Sequence, residues 1–315
     1  MSKKYVVGID LGGTNARAAA VDRDLHIAAR NRCSTPAADG FAAVMRSLAQ
    51  LTDELLRDAK IDKSEVGGLC IACPGPLDGD QGIVIHAPNL QWFDVPVVKT
   101  LGDLTGLKTI LENDANAAGY GEFIAGAGKG AQTMIMMTLG TGVGGAVIID
   151  GQLRRGPSWT GGELGHTVIL DGGRQCACGQ RGCLEAYASA TSTVGRFVEA
   201  RQAGRPSSLT AAAVSCREIF TAAKEGDELA KEIVAGTAHY IAVAASNLAN
   251  LLNPDRLVIS GGPIQAGDFL FDQIRAAYVN RPFARPVQHM QILPATLGED
   301  AGVVGAAGCA LRLLA

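Results

Sequence analysis

A histidine and three cysteines crowd into one short stretch of this sequence, "GHTVILDGGRQCACGQRGC" (165–183). His166, Cys176, Cys178 and Cys183 have the spacing H-x9-C-x-C-x4-C, and the glycines among them allow a loop to wrap tightly. Imidazole nitrogen and thiolate sulfur suit tetrahedral Zn²⁺. Since a closed set of four ligands leaves no open position for water, the pattern predicts a structural zinc site. Free thiols are the weaker alternative, because three exposed reduced cysteines would be prone to oxidation.

Two glycine-rich turns could bind phosphate. The first, "DLGGT" (10–14), and the second, "LGTGVGGA" (139–146), each follow an apolar run of strand type. Glycine permits positive φ and close approach, so several backbone N–H groups of such a turn can surround an anion. For either turn alone, a hairpin that merely needs glycine is an equal alternative. Two such turns facing each other would suit a polyphosphate.

The sequence excludes two common nucleotide-binding motifs. Gly140, Gly142 and Gly145 satisfy G-x-G-x-x-G, but that dinucleotide motif requires a helix after the turn, and "AVIID" (146–150) continues as a strand. "GAGKG" (126–130) has glycine after the lysine, where a P-loop has serine or threonine. We therefore expect neither a Rossmann dehydrogenase nor a P-loop enzyme.

A carboxylate lies where a general base could act. "LENDANAA" (111–118) places Asn113 and Asp114 directly after a buried strand. One of the two is expected to cap the helix that follows. A carboxylate at the carboxyl end of a strand, beside a ligand cleft, could also orient an attacking hydroxyl. Phosphoryl transfer needs little more than such a base, positioned phosphates and a metal ion.

An internal repeat contains both glycine turns. "VVGIDLGGTNARAAAVD" (6–22) and "MIMMTLGTGVGGAVIID" (134–150) align without a gap at an offset of 128 residues. Each copy has the pattern of a strand, a glycine turn and a second strand. The second copy opens the second half of the chain. The repeat therefore indicates a duplicated α/β fold of two domains, with a cleft between them in which ligands would bind.

Helices are predicted around these motifs. Apolar residues at three- and four-residue steps predict a helix over "FAAVMRSLAQLTDELL" (41–56). Further helices are expected over 184–202 and over 228–253, before Pro254. The closing segment 300–314 is a helix of small residues that could pack closely on a sheet.

Composition indicates a globular protein that binds small molecules. Apolar residues make up 47% and charged residues 19% of the 315 residues. With 28 Lys and Arg against 31 Asp and Glu, we expect neither nucleic acid nor a membrane as partner. The apolar start is too short for a signal peptide, so a cytoplasmic location is expected. Cys70 and Cys73 would point to opposite faces of a strand, and we interpret them as small buried hydrophobes.

In their order along the chain, these motifs resemble the ROK family of sugar kinases (repressor, open reading frame, kinase), most closely its bacterial glucokinases. The resemblance runs from about residue 5 to residue 312 and rests on "DLGGTNAR", "CPGPLD", "APNL", "ENDANAA", "LGTGVGGAVIIDG", "GGELGH", "CACGQRGCLE", "LVISGGP" and "GEDAGVVGAA". It implies an actin-like ATPase (ribonuclease H-like) fold of two α/β domains. The first would span 1–115, completed by a C-terminal helix at about 296–315, and the second 116–295, with the zinc loop 166–183.

The resemblance also implies a role for each site residue. Asp114 would be the general base that takes the proton from the sugar 6-hydroxyl. The sugar would be bound by Asn89, Asn113, Glu163, His166 and Glu185. Asp10 would approach Mg²⁺ through water. ATP would be held by Gly12, Gly13, Thr14, Asn15, Gly140, Thr141 and Gly142 at its phosphates and by Gly261 and Gly262 near its nucleoside.

The reaction that the resemblance implies is ATP-dependent phosphorylation of glucose to glucose 6-phosphate. A kinase for an N-acetylhexosamine (N-acetylglucosamine or N-acetylmannosamine) or for fructose is the alternative, because the hydroxyl-binding residues are shared. A sugar sensor without catalysis is disfavoured, since it needs neither two phosphate turns nor a base. Family habit implies a homodimer or homotetramer. Ala146 replaces the third glycine that usually ends the family's second turn, and one added methyl is expected to matter little.

Overall fold

The computed structural model describes residues 3–211, 213–279, 281 and 284–314. Its first part contains β1 (Tyr5–Leu11), β2 (Asn15–Asp22), β3 (Ile27–Ser34), α1 (Phe41–Asp58), β4 (Val66–Cys73), β5 (Leu77–Asp78), β6 (Ile83–Ala87), β7 (Trp92–Val95), α2 (Val97–Thr105), β8 (Thr109–Asn113) and α3 (Asp114–Ala125). The rest contains β9 (Met134–Leu139), β10 (Val143–Ile149), β11 (Gln152–Leu153), α4 (Glu185–Ala188), α5 (Ala190–Gln202), α6 (Cys216–Lys224), α7 (Glu228–Leu252), β12 (Arg256–Gly261), α8 (Asp268–Val279), α9 (Ala284–His289), β13 (Gln291–Pro294) and α10 (Ala301–Leu311). Within this described part, no helix combines the length and apolar character needed to cross a membrane.

The chain divides into two compact units. The first unit comprises Met1–Gly130, Leu153–Gly161 and Thr296–Ala315, and the second comprises Ala131–Gln152 and Gly162–Ala295. The boundary expected between residues 115 and 116 would cut α3. The helix instead stays whole in the first unit, because it packs along α10. A short segment in the middle of the chain, Leu153–Gly161, also returns to the first unit.

Both units contain the same five-stranded sheet. The strand order is β3-β2-β1-β4-β8 in the first and β11-β10-β9-β12-β13 in the second. In each, the opening hairpin is antiparallel, and two later strands join in parallel beside its first strand. The duplicated α/β fold predicted from the repeat is therefore confirmed. In the first unit, α1 and α2 cover one face with a core that includes Val44, Leu48 and Leu101.

The helix predicted over 184–202 is broken in the structure. It consists of α4 and α5, which are separated by Ser189 in an extended conformation. The Ser189 hydroxyl accepts the Ser192 N–H at 3.0 Å and caps α5. The Ala190 N–H donates to the Gly140 carbonyl at 2.9 Å, so its hydrogen bond goes to the second glycine turn rather than to the preceding helical turn. Contact with that turn overrides the local helix preference.

The closing helix α10 packs against α3 and β1 through glycines. A Cβ at Gly305 would overlap the carbonyl oxygen of Ala117 in α3, and one at Gly121 would overlap the carbonyl oxygen of Ala301. On the sheet side, a Cβ at Gly8 would overlap the Val303 carbonyl oxygen. The backbones therefore approach as closely as glycine permits. This packing attaches the end of the chain to the helix that begins at Asp114.

Gly305→Ala is expected to lower the free energy of unfolding of the first unit by about 1–3 kcal/mol, because a methyl group must displace backbone. Both tryptophans, Trp92 and Trp159, lie in that unit, so urea unfolding followed by tryptophan fluorescence reports on it. Gly102→Ala in α2 is the matched control. Its added Cβ would meet its nearest neighbour at an ordinary 3.5 Å, and helix propensity should stabilise that variant by about 0.5–1 kcal/mol. Equal stability of the two variants would contradict the close packing.

Candidate functional site

The carboxyl ends of parallel strands meet at one edge of the first sheet. The register places Asp10 of β1 and Glu112 of β8 in one row across β4. The two residues that follow Glu112, Asn113 and Asp114, therefore lie at the same sheet edge as Asp10. The pKa of the buried Cys73 thiol is raised well above its ordinary value, by burial and then by the charges of Asp114 and Asp10. Two carboxylates thus lie close to the end of β4.

Helix α3 begins directly at this edge. Asn113 is its N-cap residue, since its side-chain oxygen accepts the Asn116 N–H at 3.1 Å. Its side-chain nitrogen donates to the Gly75 carbonyl at 3.4 Å. Asp114, the first residue of the helix, accepts the Ala115 N–H at 2.8 Å. The capping role therefore falls to Asn113, and the Asp114 carboxylate lies at the positive end of the helix dipole.

Asp10 has an environment that suits a nearby cation. Burial raises the pKa of Asp10 above its ordinary value, and the charge of Arg17, its cross-strand neighbour, opposes that rise. A further positive charge would favour the ionised carboxylate. Carboxylate oxygens are also the ligands and water acceptors that Mg²⁺ prefers. The residues present thus fit a magnesium ion at this edge.

The first glycine turn joins β1 to β2. It contains the predicted phosphate-binding residues Gly12, Gly13 and Thr14, and the fourth, Asn15, is the first residue of β2. Thr35 fixes the turn: its hydroxyl donates to the Gly12 carbonyl at 2.8 Å, and its N–H donates to the Thr14 carbonyl at 2.8 Å. A Cβ at Gly13 would lie 3.3 Å from the Cβ of Asn89. The structure therefore brings the exposed Asn89 side chain beside the turn.

The second glycine turn joins β9 to β10 in the second unit. It contains the predicted residues Gly140, Thr141 and Gly142. The Gly140 N–H donates to the Gly142 carbonyl at 3.0 Å and closes the turn. Gly261, on the neighbouring β12, has φ of 100°, and a Cβ there would overlap the Leu139 carbonyl oxygen. Gly261 therefore lies next to this turn, where only glycine allows the approach, and Gly262 follows it in the chain.

Glu185 connects the second turn with the cysteine cluster. One of its oxygens, Oε2, accepts the Val143 N–H at 2.9 Å, and a side chain at Gly142 would overlap the same oxygen. The other, Oε1, lies 3.6 Å from the Cys176 sulfur. The carboxylate is thus held between the second glycine turn and the cluster.

Four potential metal ligands converge in the second unit. Ligand atoms of His166, Cys176, Cys178 and Cys183 all lie within 4.8 Å of one another. The sulfurs of Cys178 and Cys183 are 3.7 Å apart, and the Cys176 sulfur is 3.8 Å from Nδ1 of His166. Tetrahedral zinc, with bonds of about 2.0–2.3 Å, requires ligand separations of roughly 3.5–3.8 Å. The donor set and these two separations therefore fit the ion.

Glu163 precedes a short helical turn beside this cluster, and His166 is the last residue of that turn. The turn, Leu164–His166, lies directly on β10, since a Cβ at Gly165 would overlap the Val143 carbonyl oxygen. Glu163 is exposed and His166 is half-buried, with Nδ1 towards Cys176. The predicted site residues thus fall into two groups. Asn89, Asn113, Asp114, Asp10 and the first turn belong to the first unit, and Glu163, His166, Glu185, the second turn, Gly261 and Gly262 to the second.

Comparison with known proteins identifies the family. The ROK family model matches residues 6–312. This chain belongs to the ROK family. The glucokinase of Halalkalibacterium halodurans is 37% identical to this ROK protein over 311 residues, which cover 97% of this chain and 94% of that protein. The N-acetylmannosamine kinase of Citrobacter koseri is 34% identical over 302 residues, 96% of this chain and 97% of that protein.

Solved structures of ROK proteins share the fold. A ROK hexokinase from Thermus thermophilus superimposes with a TM-score of 0.84 at 34% identity, over 96% of each chain. A ROK glucokinase from Streptomyces griseus, solved in complex with glucose and AMPPNP, gives a TM-score of 0.76 at 30% identity, over 98% of this chain and 99% of that one. The predicted family and actin-like ATPase fold are confirmed.

Two charged residues of this ROK protein escape sequence-based prediction. Glu112 is 1% exposed, and its Oε2 accepts the Nε–H of Arg155 at 2.7 Å in an ion pair. Burial lowers the pKa of Arg155, but the charge and hydrogen bond of Glu112 outweigh it and raise that pKa. A charge inside the apolar strand "LKTILEND" does indicate that Glu112 needs a partner. Nothing in the sequence identifies that partner, which lies 43 positions away.

Proposed function

We propose that this ROK protein transfers the γ-phosphoryl group of ATP to the 6-hydroxyl of a hexose, with glucose as the preferred substrate and glucose 6-phosphate and ADP as products. One observation carries the proposal: Asp114 lies at the carboxyl end of β8, at the same sheet edge as Asp10 and the first glycine turn. The proposed base and the first glycine turn, which we propose binds phosphate, therefore lie at the edge of the same sheet. Relatives named glucokinase support the choice of glucose.

Asp114 is the general base of the proposed reaction. Its carboxylate takes the proton of the 6-hydroxyl as that oxygen bonds to the γ-phosphorus, and the bond from this phosphorus to the oxygen that bridges to the β-phosphorus breaks to release ADP. Asp10 would hold Mg²⁺ through water, and N–H groups of the two glycine turns would bind phosphate oxygens. Mg²⁺, when bound, neutralises charge that develops on the phosphates.

The sugar hydroxyls are proposed to bind side chains that can both accept and orient hydrogen bonds. These are Asn89, Asn113, Glu163, His166 and Glu185. The cysteine cluster supports two of them: Glu185 lies 3.6 Å from Cys176, and His166 has Nδ1 towards the same sulfur. Zinc, when bound, would hold the His166 ring in one orientation and leave Nε2 for a hydroxyl.

An N-acetylhexosamine is the second candidate substrate. It is favoured by the kinship with an N-acetylmannosamine kinase at 34% identity. The proposed base and hydroxyl contacts would serve that reaction equally. The two candidate substrates differ at the second carbon of the sugar, which carries a hydroxyl group in glucose and an acetamido group in an N-acetylhexosamine.

Release of ADP with a panel of sugars tests the proposal. With ATP and Mg²⁺ in a pyruvate kinase and lactate dehydrogenase coupled assay, glucose is expected to give the highest kcat/KM among glucose, mannose, fructose, N-acetylglucosamine and N-acetylmannosamine. A pocket that hydrogen-bonds a 2-hydroxyl should discriminate against an acetamido group by about 10-fold or more. Highest kcat/KM with N-acetylmannosamine would establish the second candidate. Sugar binding in calorimetry without any ADP release would contradict a kinase and favour a sensor.

Location and assembly stay predictions for this protein. A cytoplasmic location and a homodimer or homotetramer are expected. Hexose and ATP are the proposed partners, and neither nucleic acid nor membrane is part of the proposal.

A further inference from the structure

A carboxylate is buried directly behind the proposed base. Glu112 ends the apolar part of β8, two residues before Asp114, and is 1% exposed. Charged side chains are rarely buried unless each oxygen has a partner. The two oxygens of Glu112 are bound by groups from different parts of the first unit.

The first oxygen of Glu112 binds the turn that carries the base. Its Oε1 accepts the backbone N–H of Asn113 at 3.1 Å and the side-chain amide of Asn116 at 3.2 Å. Asn113 is the cap of α3, and Asn116 lies in the first turn of that helix. One carboxylate oxygen thus binds the backbone on one side of Asp114 and a side chain on the other.

The second oxygen of Glu112 binds a segment that is distant in sequence. Its Oε2 accepts from Nε of Arg155 at 2.7 Å and also contacts the second guanidinium nitrogen, Nη2. Arg155 belongs to the Leu153–Gly161 segment, which is part of the first unit. The Trp159 ring of the same segment lies 5.2 Å from the guanidinium carbon of Arg155, and its far edge occupies the space that a side chain at Gly79 would need. The Glu112 carboxylate and the Trp159 ring therefore hold the guanidinium in place.

We propose that Arg155 is a positioning residue that sets the Asp114 carboxylate for proton transfer, acting through the buried oxygens of Glu112. The inference rests on the proposed kinase function. The guanidinium compensates the charge of the carboxylate, and that carboxylate orders the cap of α3. Arg155 therefore contributes mainly to the rate of the chemical step, to a smaller extent to sugar binding through the Asn113 cap, and little to the binding of ATP.

The physical reason is the accuracy that a general base requires. A displacement of about 1 Å in a reacting group can cost about 100-fold in rate. A buried carboxylate that loses its cation is strongly unfavourable, whereas replacement of both partners by neutral groups is often tolerated. Glutamine at position 112 would keep an oxygen for the Asn113 and Asn116 donors without a charge to compensate. Loss of Arg155 should thus disturb the first turn of α3 only while Glu112 is present.

Four variants test this coupling in the sugar-dependent ADP assay. Arg155→Met is expected to lower kcat for glucose about 100-fold and to raise KM for glucose by less than about 10-fold, through the Asn113 cap, with KM for ATP within about threefold of the parent value. Glu112→Gln should lower kcat for glucose less than Arg155→Met does. The double variant Arg155→Met/Glu112→Gln should regain at least about 10-fold in kcat over Arg155→Met. Arg155→Lys, which keeps the charge but loses the fork of donors, should retain intermediate activity and serves as the test if the methionine variant does not fold.

Arg57→Met is the matched control, because Arg57 is an exposed arginine of the same unit in a surface pair with Asp58. This variant should leave kcat and the KM values for glucose and ATP unchanged. Circular dichroism should verify that every variant is folded. An unchanged kcat in folded Arg155→Met would overturn the positioning role. The same holds if Arg155→Met and Arg155→Met/Glu112→Gln lose kcat equally. A rise in KM for ATP, or a rise in KM for glucose as large as the fall in kcat, would point to direct substrate binding and also overturn it. An inactive parent protein would overturn the proposed function, and this inference with it.

Discussion

Asp114→Asn is expected to lower kcat for glucose phosphorylation by about 10²–10⁴-fold, because the amide cannot take the proton of the attacking hydroxyl. The dissociation constant of glucose should change by no more than about threefold, since the loss concerns an interaction of the transition state. Steady-state kinetics in the coupled assay give kcat, and isothermal titration calorimetry gives the dissociation constant. Turnover at the parent rate would show that Asp114 is not the base.

Asp114→Asn is expected to keep the hydrogen bonds at the start of α3. Asn113 caps α3, and the asparagine oxygen at position 114 can still accept the Ala115 N–H that Oδ1 of Asp114 now accepts. The charge lost at the helix N-terminus is expected to cost about 0.3–1 kcal/mol of folding free energy. Glu228→Gln is the matched control, because Glu228 is also the first residue of a helix and is exposed. It loses the same charge at the same helix position and should keep full activity.

Local chemistry and periodicity explain what could be predicted from the sequence. Hairpins with glycine turns depend on strand propensity and on backbone freedom within a few residues, so the repeat predicted β1–β2 and β9–β10. The spacing of His166 and the three cysteines likewise predicted a cluster, whose four ligand atoms do converge. Each of these features lies within one continuous stretch of chain.

Long-range contacts explain what could not be predicted. The break at Ser189 depends on the Gly140 carbonyl, which takes the Ala190 N–H. The position of α3 depends on the close approach of its backbone to that of α10, which is distant in sequence. The ion pair of Glu112 with Arg155 depends on the return of Leu153–Gly161 to the first unit. Periodicity carries no information about such partners, although the buried charge of Glu112 does show that a partner is needed.

Cys178→Ala is expected to raise KM for glucose about 10- to 100-fold and to leave KM for ATP within about threefold. Cys178 is the exposed member of the cluster, so its truncation removes a ligand without opening a core cavity, whereas Cys183 is fully buried. Loss of the proposed zinc would release the ends of the loop at His166 and Glu185, which we assign to the sugar. The glycine turns proposed to bind ATP contain no cluster residue.

Metal analysis by inductively coupled plasma mass spectrometry should find close to one zinc per chain in the parent protein and much less in Cys178→Ala. Cys216→Ala is the matched control, because Cys216 is a half-buried cysteine of the same unit outside the cluster. It should keep both the metal and the glucose KM. Parent protein stripped by a strong chelator should behave like Cys178→Ala, and zinc should restore it. An unchanged glucose KM in metal-free protein would separate the cluster from sugar binding, and the Val143 N–H at 2.9 Å would then suffice to orient Glu185.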